Sequence, residues 1–230
     1  MKRLYLTVEG QTEQEFAIGV LQPHLSPYNV MVIKPRLTGL HARRKGRIPS
    51  GGLLNTFVHS LGDIRRWMSE DQSVEARFSM MVDLYSLPTD FPGYEDAMKL
   101  SDPHEQAAHL EKALANELDD PRFVPYLQVH EFEAIVLANP DSFLEWFDGI
   151  DKQVAKLKAE IEPFENPEKI NHGRHTHPKA RIQKHIKDYQ QNVDGPFLAG
   201  CVSVDTIKGK CPHFAQWLNT LEQLDATGAE

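Results

Sequence analysis

Residues Lys2–Phe16 read KRLYLTVEGQTEQEF, and the fold turns on how this stretch is read. Leu4, Tyr5, Leu6, Thr7 and Val8 are strand formers, mostly apolar, in the manner of a strand buried on both faces of a parallel sheet. Glu9 stands at the carboxyl end of that strand and Gly10 permits a sharp turn. Thr12 is suited to cap the following helix, with Glu15 three residues on in capping-box spacing. In an open α/β sheet ligands bind at the carboxyl ends of strands, so Glu9, with Glu13 one turn away, is placed for chemistry.

Working outward, the same design repeats. A helix is expected over Glu13–Leu25. A second strand, NVMVIKPRL over Asn29–Leu37, follows, and its Pro35 predicts an edge position or a strand end. Leu53–Met68 has helical spacing. ARFSMMVDL over Ala76–Leu84 is a third apolar strand that ends in Asp83. The proline-bearing loop Ser86–Asp102 leads to a helix over Pro103–Leu118, with Asp102 as its N-cap. A fourth strand, FVPYLQV over Phe123–Val129, runs into His130, Glu131, Phe132 and Glu133. From Asp141 the chain is mostly helical, including a basic helix over Lys179–Tyr189 and a final one over Pro212–Leu224. Alternating strands and helices imply an α/β fold with a mostly parallel sheet of about four strands between helices. The expected organisation is a core over residues 1–140 and a mainly helical elaboration over residues 141–230, packed as one unit.

The chain has 230 residues, a formal net charge of −8, 40% hydrophobic and 25% charged residues, which suits a globular protein with a sizeable core. No apolar run is long enough to span a bilayer, and the N-terminus lacks signal-peptide character, so a cytoplasmic location without membrane association is expected. Cys201 and Cys211 do not form a CxxC pair, which excludes a redox motif or a four-cysteine zinc site within one chain. The acidic balance argues against a globally basic nucleic-acid binder. The charge is uneven, however. Lys34, Arg36, Arg43, Arg44, Lys45 and Arg47 form one basic segment, and Arg174, Lys179, Arg181, Lys184 and Lys187 another. These segments are the natural phosphate contacts. Neither shows aromatic interleaving, so base stacking is not expected from them.

Three apolar strands thus deliver carboxylates to one sheet edge: Glu9 with Glu13, Asp83, and Glu131 with Glu133. Crowded carboxylates repel unless a cation or proton sits between them, and Mg²⁺ takes a few carboxylates plus waters and substrate phosphate. No G-x-S-x-G elbow, P-loop or GxGxxG competes with this constellation. His172, His175 and His177 lie close together, but a basic or solvated loop explains them better than a transition-metal site.

VEGQTEQEF, then MVDLYSLPTDFPG, then VPYLQVHEFEAIVLANP and the late CPHFAQWL resemble the DUF4276 family, grouped with the Toprim domains of OLD-type nucleases and RloB-like proteins. The resemblance covers Leu4 to about Leu221. It implies a Toprim-like fold and an Mg²⁺-dependent nuclease acting on DNA or RNA, with Mn²⁺ as an alternative ion. It implies an ATPase partner in bacterial antiphage defence and leaves homo-oligomerisation open. By the same resemblance Glu9 and Asp83 are catalytic and hold metal, with Glu13, Glu131 and Glu133 completing the site. Lys179 stands near the scissile phosphate, with Lys208 and Lys210 as weaker candidates. Arg36, Arg43, Arg44, Lys45, Arg47, Arg174 and Arg181 are the nucleic-acid contacts the charge map supplies. One departure stands out: position 85 is Tyr85 where the family's DxD strand motif has a second aspartate, so Asp90, Glu131 or Glu133 would have to replace that ligand. This departure favours one rival, a non-catalytic nucleic-acid-binding partner of an ATPase; a second rival is a metal-dependent phosphotransferase or phosphatase acting on a small nucleotide.

Overall fold

The structure is a computed structural model that describes residues 1–37, 57–170, 173 and 175–226. Its centre is a four-stranded, all-parallel sheet in the order β2-β1-β3-β4. The strands are β1 (Lys2–Val8), β2 (Val30–Leu37), β3 (Ala76–Met81) and β4 (Phe123–Val124). Alternation along β1 explains its central place. Leu4, Leu6 and Val8 belong to the core on one sheet face, while Tyr5 stacks on Phe78 and meets Trp67 edge-on in the core of the other.

Both faces are covered by helices. Helix α1 (Gln11–Phe16) passes through a π-helical turn (Ala17–Leu21) into α2 (Gln22–Leu25). The π turn sends the Gln22 N–H back to the Ala17 carbonyl, just where Pro23 would interrupt an α-helical ladder. Helices α3 (Phe57–Glu70) and α5 (Pro103–Leu118) cover the Phe78–Met80–Val82 side of β3, with the short α4 (Tyr94–Ala97) between them. The opposite face is covered by the C-terminal half: α6 (Glu133–Val136), α7 (Asp151–Ile161), α8 (Pro178–His185), α9 (Gln191–Val202), α10 (Val204–Lys210) and α11 (Pro212–Glu222). Phe214, Trp217, Leu218 and Leu221 of α11 share one apolar cluster with Leu4, Leu6 and Val8. Among the described residues no helix is long and apolar enough to cross a membrane. Cys201 and Cys211 are both free thiols.

Several local expectations shift. Pro35 lies in edge strand β2, where the register against β1 slips between Tyr5 and Thr7, so the missing N–H falls at a bulge. The fourth strand is shorter than Phe123–Val129. Pro125 cannot donate to the ladder, the Leu127 N–H goes to Glu111 Oε1 at 2.7 Å, and pairing resumes only at the Asp83–Gln128 bridge. The first helix is capped at Gly10, not Thr12. The Gly10 backbone is extended, and its N–H donates to Glu13 Oε2 at 2.7 Å. Thr12 is buried, and its hydroxyl reaches Asn192 Oδ1 at 3.2 Å.

Two polar contacts hold helix α11 in place, one to the sheet and one at its N-terminus. Trp217 Nε1 donates to Ser79 Oγ on β3 at 3.0 Å. The fully buried Glu168 accepts the His213 and Phe214 N–H groups at 2.9 and 3.0 Å, at the N-terminus of α11, and His104 Nε2 of α5 lies 3.0 Å from the same carboxylate. A buried carboxylate satisfied by helix N-terminal donors is favourable there, and removing it leaves those donors unpaired. Substituting Glu168→Ala is expected to cost about 3 kcal/mol of folding free energy, read as a lowered midpoint in urea denaturation. A stability equal to the wild type would mean that water replaces the carboxylate without loss.

Candidate active site

The strand order sets the location of the site. From β1 the chain crosses to β2 on one side, then returns to place β3 on the other. The carboxyl ends of β1 and β3 therefore flank the point where the winding reverses, which is where open α/β sheets form a ligand crevice. Val8 pairs with Met81, and the Glu9 N–H bonds the Met81 carbonyl at 3.2 Å. Glu9 and Asp83 then leave the sheet side by side: Glu9 Oε2 accepts the Asp83 N–H at 3.1 Å and the Ser86 hydroxyl at 2.8 Å. The Asp83–Gln128 bridge brings the end of the β4 segment level with them, so Glu131 and Glu133 join from the far side.

The C-terminal half closes the cluster. Glu131, 1% exposed, meets three groups. Oε1 receives the Lys179 N–H at 2.5 Å and faces His177 Nδ1 at 2.8 Å, and Oε2 receives the Tyr85 hydroxyl at 3.1 Å. His177 is also the N-cap of α8, which explains how one turn aims both His177 and Lys179 at Glu131. Glu133 is fully buried. Its Oε1 accepts from the Tyr189 hydroxyl at 3.2 Å and its Oε2 from Gln191 Nε2 at 3.4 Å. The Lys179 ammonium donates to Gln191 Oε1 at 2.6 Å. Ser86, His177, Tyr189 and Gln191 were not among the site residues expected from sequence. In the sequence His177 stands with His172 and His175, a trio read as a basic or solvated loop, and adjacency to Asp83 is the one signal for Ser86.

Electrostatics tie these groups together. Burial pushes the Asp83 carboxyl well above the ordinary carboxylate range, and the charges of Glu9, Glu13, Glu131 and Glu133 push it further. Glu13 is raised to about 7, first by burial and then by Glu9, against the pull of the Gly10 N–H and of Lys179. Glu133 is raised to about 8, first by burial and then by Glu131, with Lys179 opposing. Asp83 Oδ1 is buried and has no hydrogen-bond partner among the described residues. An unpartnered carboxylate oxygen in a field of like charge is a place for a cation, and the hard oxygen donors suit Mg²⁺. Among the described residues no group of three or more His, Cys, Asp or Glu side chains is placed to hold a metal ion together. Mg²⁺ commonly needs only one or two carboxylates beside waters and substrate phosphate, so the donor set fits.

Other expected site residues lie elsewhere. Asp90 caps α3 through the Phe57 N–H at 2.8 and 2.9 Å and is not one of the cluster's carboxylates. Arg36 lies over the Trp67 ring and pairs with Glu70 at 2.5 Å. Arg181 is 7% exposed and bonds Glu160 at 2.9 Å and the Thr176 carbonyl at 2.6 Å, so it ties α8 to α7. Lys208 pairs with Glu222 at 2.7 Å. Arg43, Arg44, Lys45, Arg47 and Arg174 lie outside the described residues, as does His172.

Comparison with known proteins places the chain in a family. The model of the domain of unknown function DUF4276 matches residues 8–222, nearly the full length, and the chain belongs to that family. No curated protein matches it. Among solved structures, the C-terminal region of the Xanthomonas campestris pv. campestris OLD protein is similar, with 15% identity, a TM-score of 0.45, and coverage of 99% of this chain and 97% of that one.

The raised carboxyls carry a pH signature. The folded state holds protons on Glu13, Glu133 and Asp83 that the unfolded chain releases near pH 4 to 5, so stability is full at low pH and declines as pH rises through about 7 and 8. In the presence of a chelator the thermal midpoint is expected to fall between about pH 5 and pH 8. Glu133→Gln is expected to flatten that slope. A midpoint independent of pH over this range would count against the buried cluster.

Proposed function

We propose that the protein is an Mg²⁺-dependent nuclease of Toprim type that cleaves phosphodiester bonds in DNA or RNA. One observation carries this reading: Glu9, Glu13, Asp83, Glu131 and Glu133 meet at the switch point of a parallel sheet, with Lys179 beside them. Glu9 and Asp83, from adjacent strand ends, are the groups that would hold the ion, whose contribution is to neutralise charge on the phosphate oxygens. Ser86 fixes the Glu9 carboxylate from one side. Lys179 supplies a positive charge against the phosphoryl group, and Gln191 sets where its ammonium rests. The resemblance of VEGQTE, VDLY and HEFEA to the DUF4276 family, grouped with the Toprim domains of OLD-type nucleases and RloB-like proteins, supports the same chemistry, and extends the proposal to an effector in bacterial antiphage defence that works with an ATPase partner.

A second reading is favoured by one residue. Tyr85 occupies the place of the second motif aspartate, and its hydroxyl is given to Glu131. In that reading the chain binds nucleic acid for an ATPase without cutting it.

Plasmid DNA, single-stranded DNA and total tRNA, incubated with Mg²⁺, Mn²⁺ or chelator, distinguish the two. Wild type is compared with Glu9→Gln and Asp83→Asn, each with and without an ATPase partner. Metal-dependent cutting is expected, reduced about 100-fold or more in both variants. Folded wild type that binds nucleic acid but cuts no substrate under any condition would overturn the nuclease reading in favour of the second.

A further inference from the structure

Tyr85 and His177 form an aromatic pair on the rim of the carboxylate cluster, and neither is used by the proposed chemistry. Their ring centroids are 6.4 Å apart with planes inclined by 35°. Both are fixed by the same buried group. The Tyr85 hydroxyl donates to Glu131 Oε2 and His177 Nδ1 faces Glu131 Oε1, so the two oxygens of one carboxylate set the attitude of both rings. Despite this anchoring the rings stay accessible: Tyr85 is 52% exposed and the His177 side chain 26%.

Two partly exposed rings held in a fixed attitude beside a charged cluster offer stacking faces to a ligand. Tyr85 also sits two residues beyond Asp83, in the 3-10 turn Leu84–Ser86 that follows β3, at the position of the motif's second aspartate. Here a ring stands in its place, oriented by Glu131. The Glu131 carboxylate, which accepts from Tyr85 and the Lys179 N–H and faces His177 Nδ1, serves as the organiser of this rim.

Anchored, exposed aromatic rings next to a phosphate-handling centre match the way single strands are held, because every base has a face that can stack. We infer that Tyr85 and His177 are the platform on which an unpaired nucleobase stacks beside the phosphate at the Glu9–Asp83 site, so the substrate is engaged as a single strand. This inference rests on the nuclease reading and specifies its substrate class. A paired base is already stacked on its neighbours and must first be unstacked to reach these rings. Tyr85 and His177 are thus specificity-determining residues, contacting the base and not the reacting bond.

The test is binding in a Glu9→Gln background, which prevents loss of the probe. Fluorescence anisotropy follows a labelled oligothymidylate, an abasic strand of the same length and a duplex, each in Mg²⁺. The base-bearing strand is expected to bind more tightly than the abasic strand and the duplex. Tyr85→Leu, which keeps bulk and removes the ring, is expected to weaken oligothymidylate binding about 5- to 150-fold and leave abasic binding unchanged. Tyr85→Phe is expected to retain most of the affinity, and His177→Leu to lose part of it. Unaltered far-UV circular dichroism checks that each variant is folded. Equal binding of base-bearing and abasic strands, or wild-type-like binding by Tyr85→Leu, overturns the inference while leaving metal-dependent cutting by the wild type standing. A mononucleotide that displaces the strand at equal concentration would make a small nucleotide the occupant and overturn the single-strand claim. Failure of the parent to bind the base-bearing strand overturns this inference, while cutting by the wild type decides the nuclease reading separately.

Discussion

Mutual repulsion among buried carboxylates is the constraint on which this structure turns. Glu9, Asp83 and Glu131 end three neighbouring segments of one parallel sheet, and Glu13 and Glu133 open the helices that follow two of them. Burial lifts the proton affinity of Asp83, Glu13 and Glu133, and the carboxylates beside them lift it further. A chain folded only for stability would not gather them, since unpaired buried charge costs several kcal/mol per ion. The donors around them soften that cost without removing it. Ser86 and the Asp83 N–H serve Glu9, the Gly10 N–H serves Glu13, and Tyr189 with Gln191 serves Glu133. Asp83 Oδ1 is left with no such donor among the described residues.

The C-terminal half is part of the same physical problem. It supplies Lys179, the principal positive charge acting on Glu13 and Glu133, and it supplies Tyr189 and Gln191. Its attachment to the sheet is correspondingly firm. Helix α11 buries Phe214, Trp217, Leu218 and Leu221 against the β1 face, Ser79 of β3 accepts from Trp217, and Glu168 accepts the N–H groups at the start of α11. Rigid packing of α8 and α9 matters because a shift of an ångström or so would uncouple Lys179 from the carboxylates and leave their repulsion unopposed. The basic face of α8 serves this packing as well: Arg181, Lys184 and His185 all converge on Glu160 of α7.

Much of the fold was legible because periodicity and composition act locally. Buried apolar runs marked β1 and β3, Pro35 marked an edge strand, and Asp102 followed by Pro103 marked the start of α5. The carboxylates at strand ends were legible for the same reason, since an acidic residue after an apolar run must leave the sheet. Partner choice was not legible. Arg181 reads as a phosphate contact in a basic segment, yet it is buried against Glu160, because charge along the chain does not reveal which acid lies across the fold. Asp90 could have served the site and instead caps α3, and Thr12 gave its expected capping role to Gly10 once its hydroxyl was drawn toward Asn192.

The sequence by itself determined the α/β alternation, the parallel sheet and the strand ends at which Glu9, Asp83 and Glu131 would stand. These follow from local hydrophobic patterning and from the short reach of the βα connections. Only the tertiary structure decided that the five carboxylates share one electrostatic field, and that Lys179 comes to rest on Gln191. It alone decided that Tyr85 and His177 are held by the two oxygens of Glu131. Those relations join residues 46 or more positions apart at Glu131, and 74 apart between Glu9 and Asp83. Contacts of that span depend on strand order and helix packing, which no local pattern encodes.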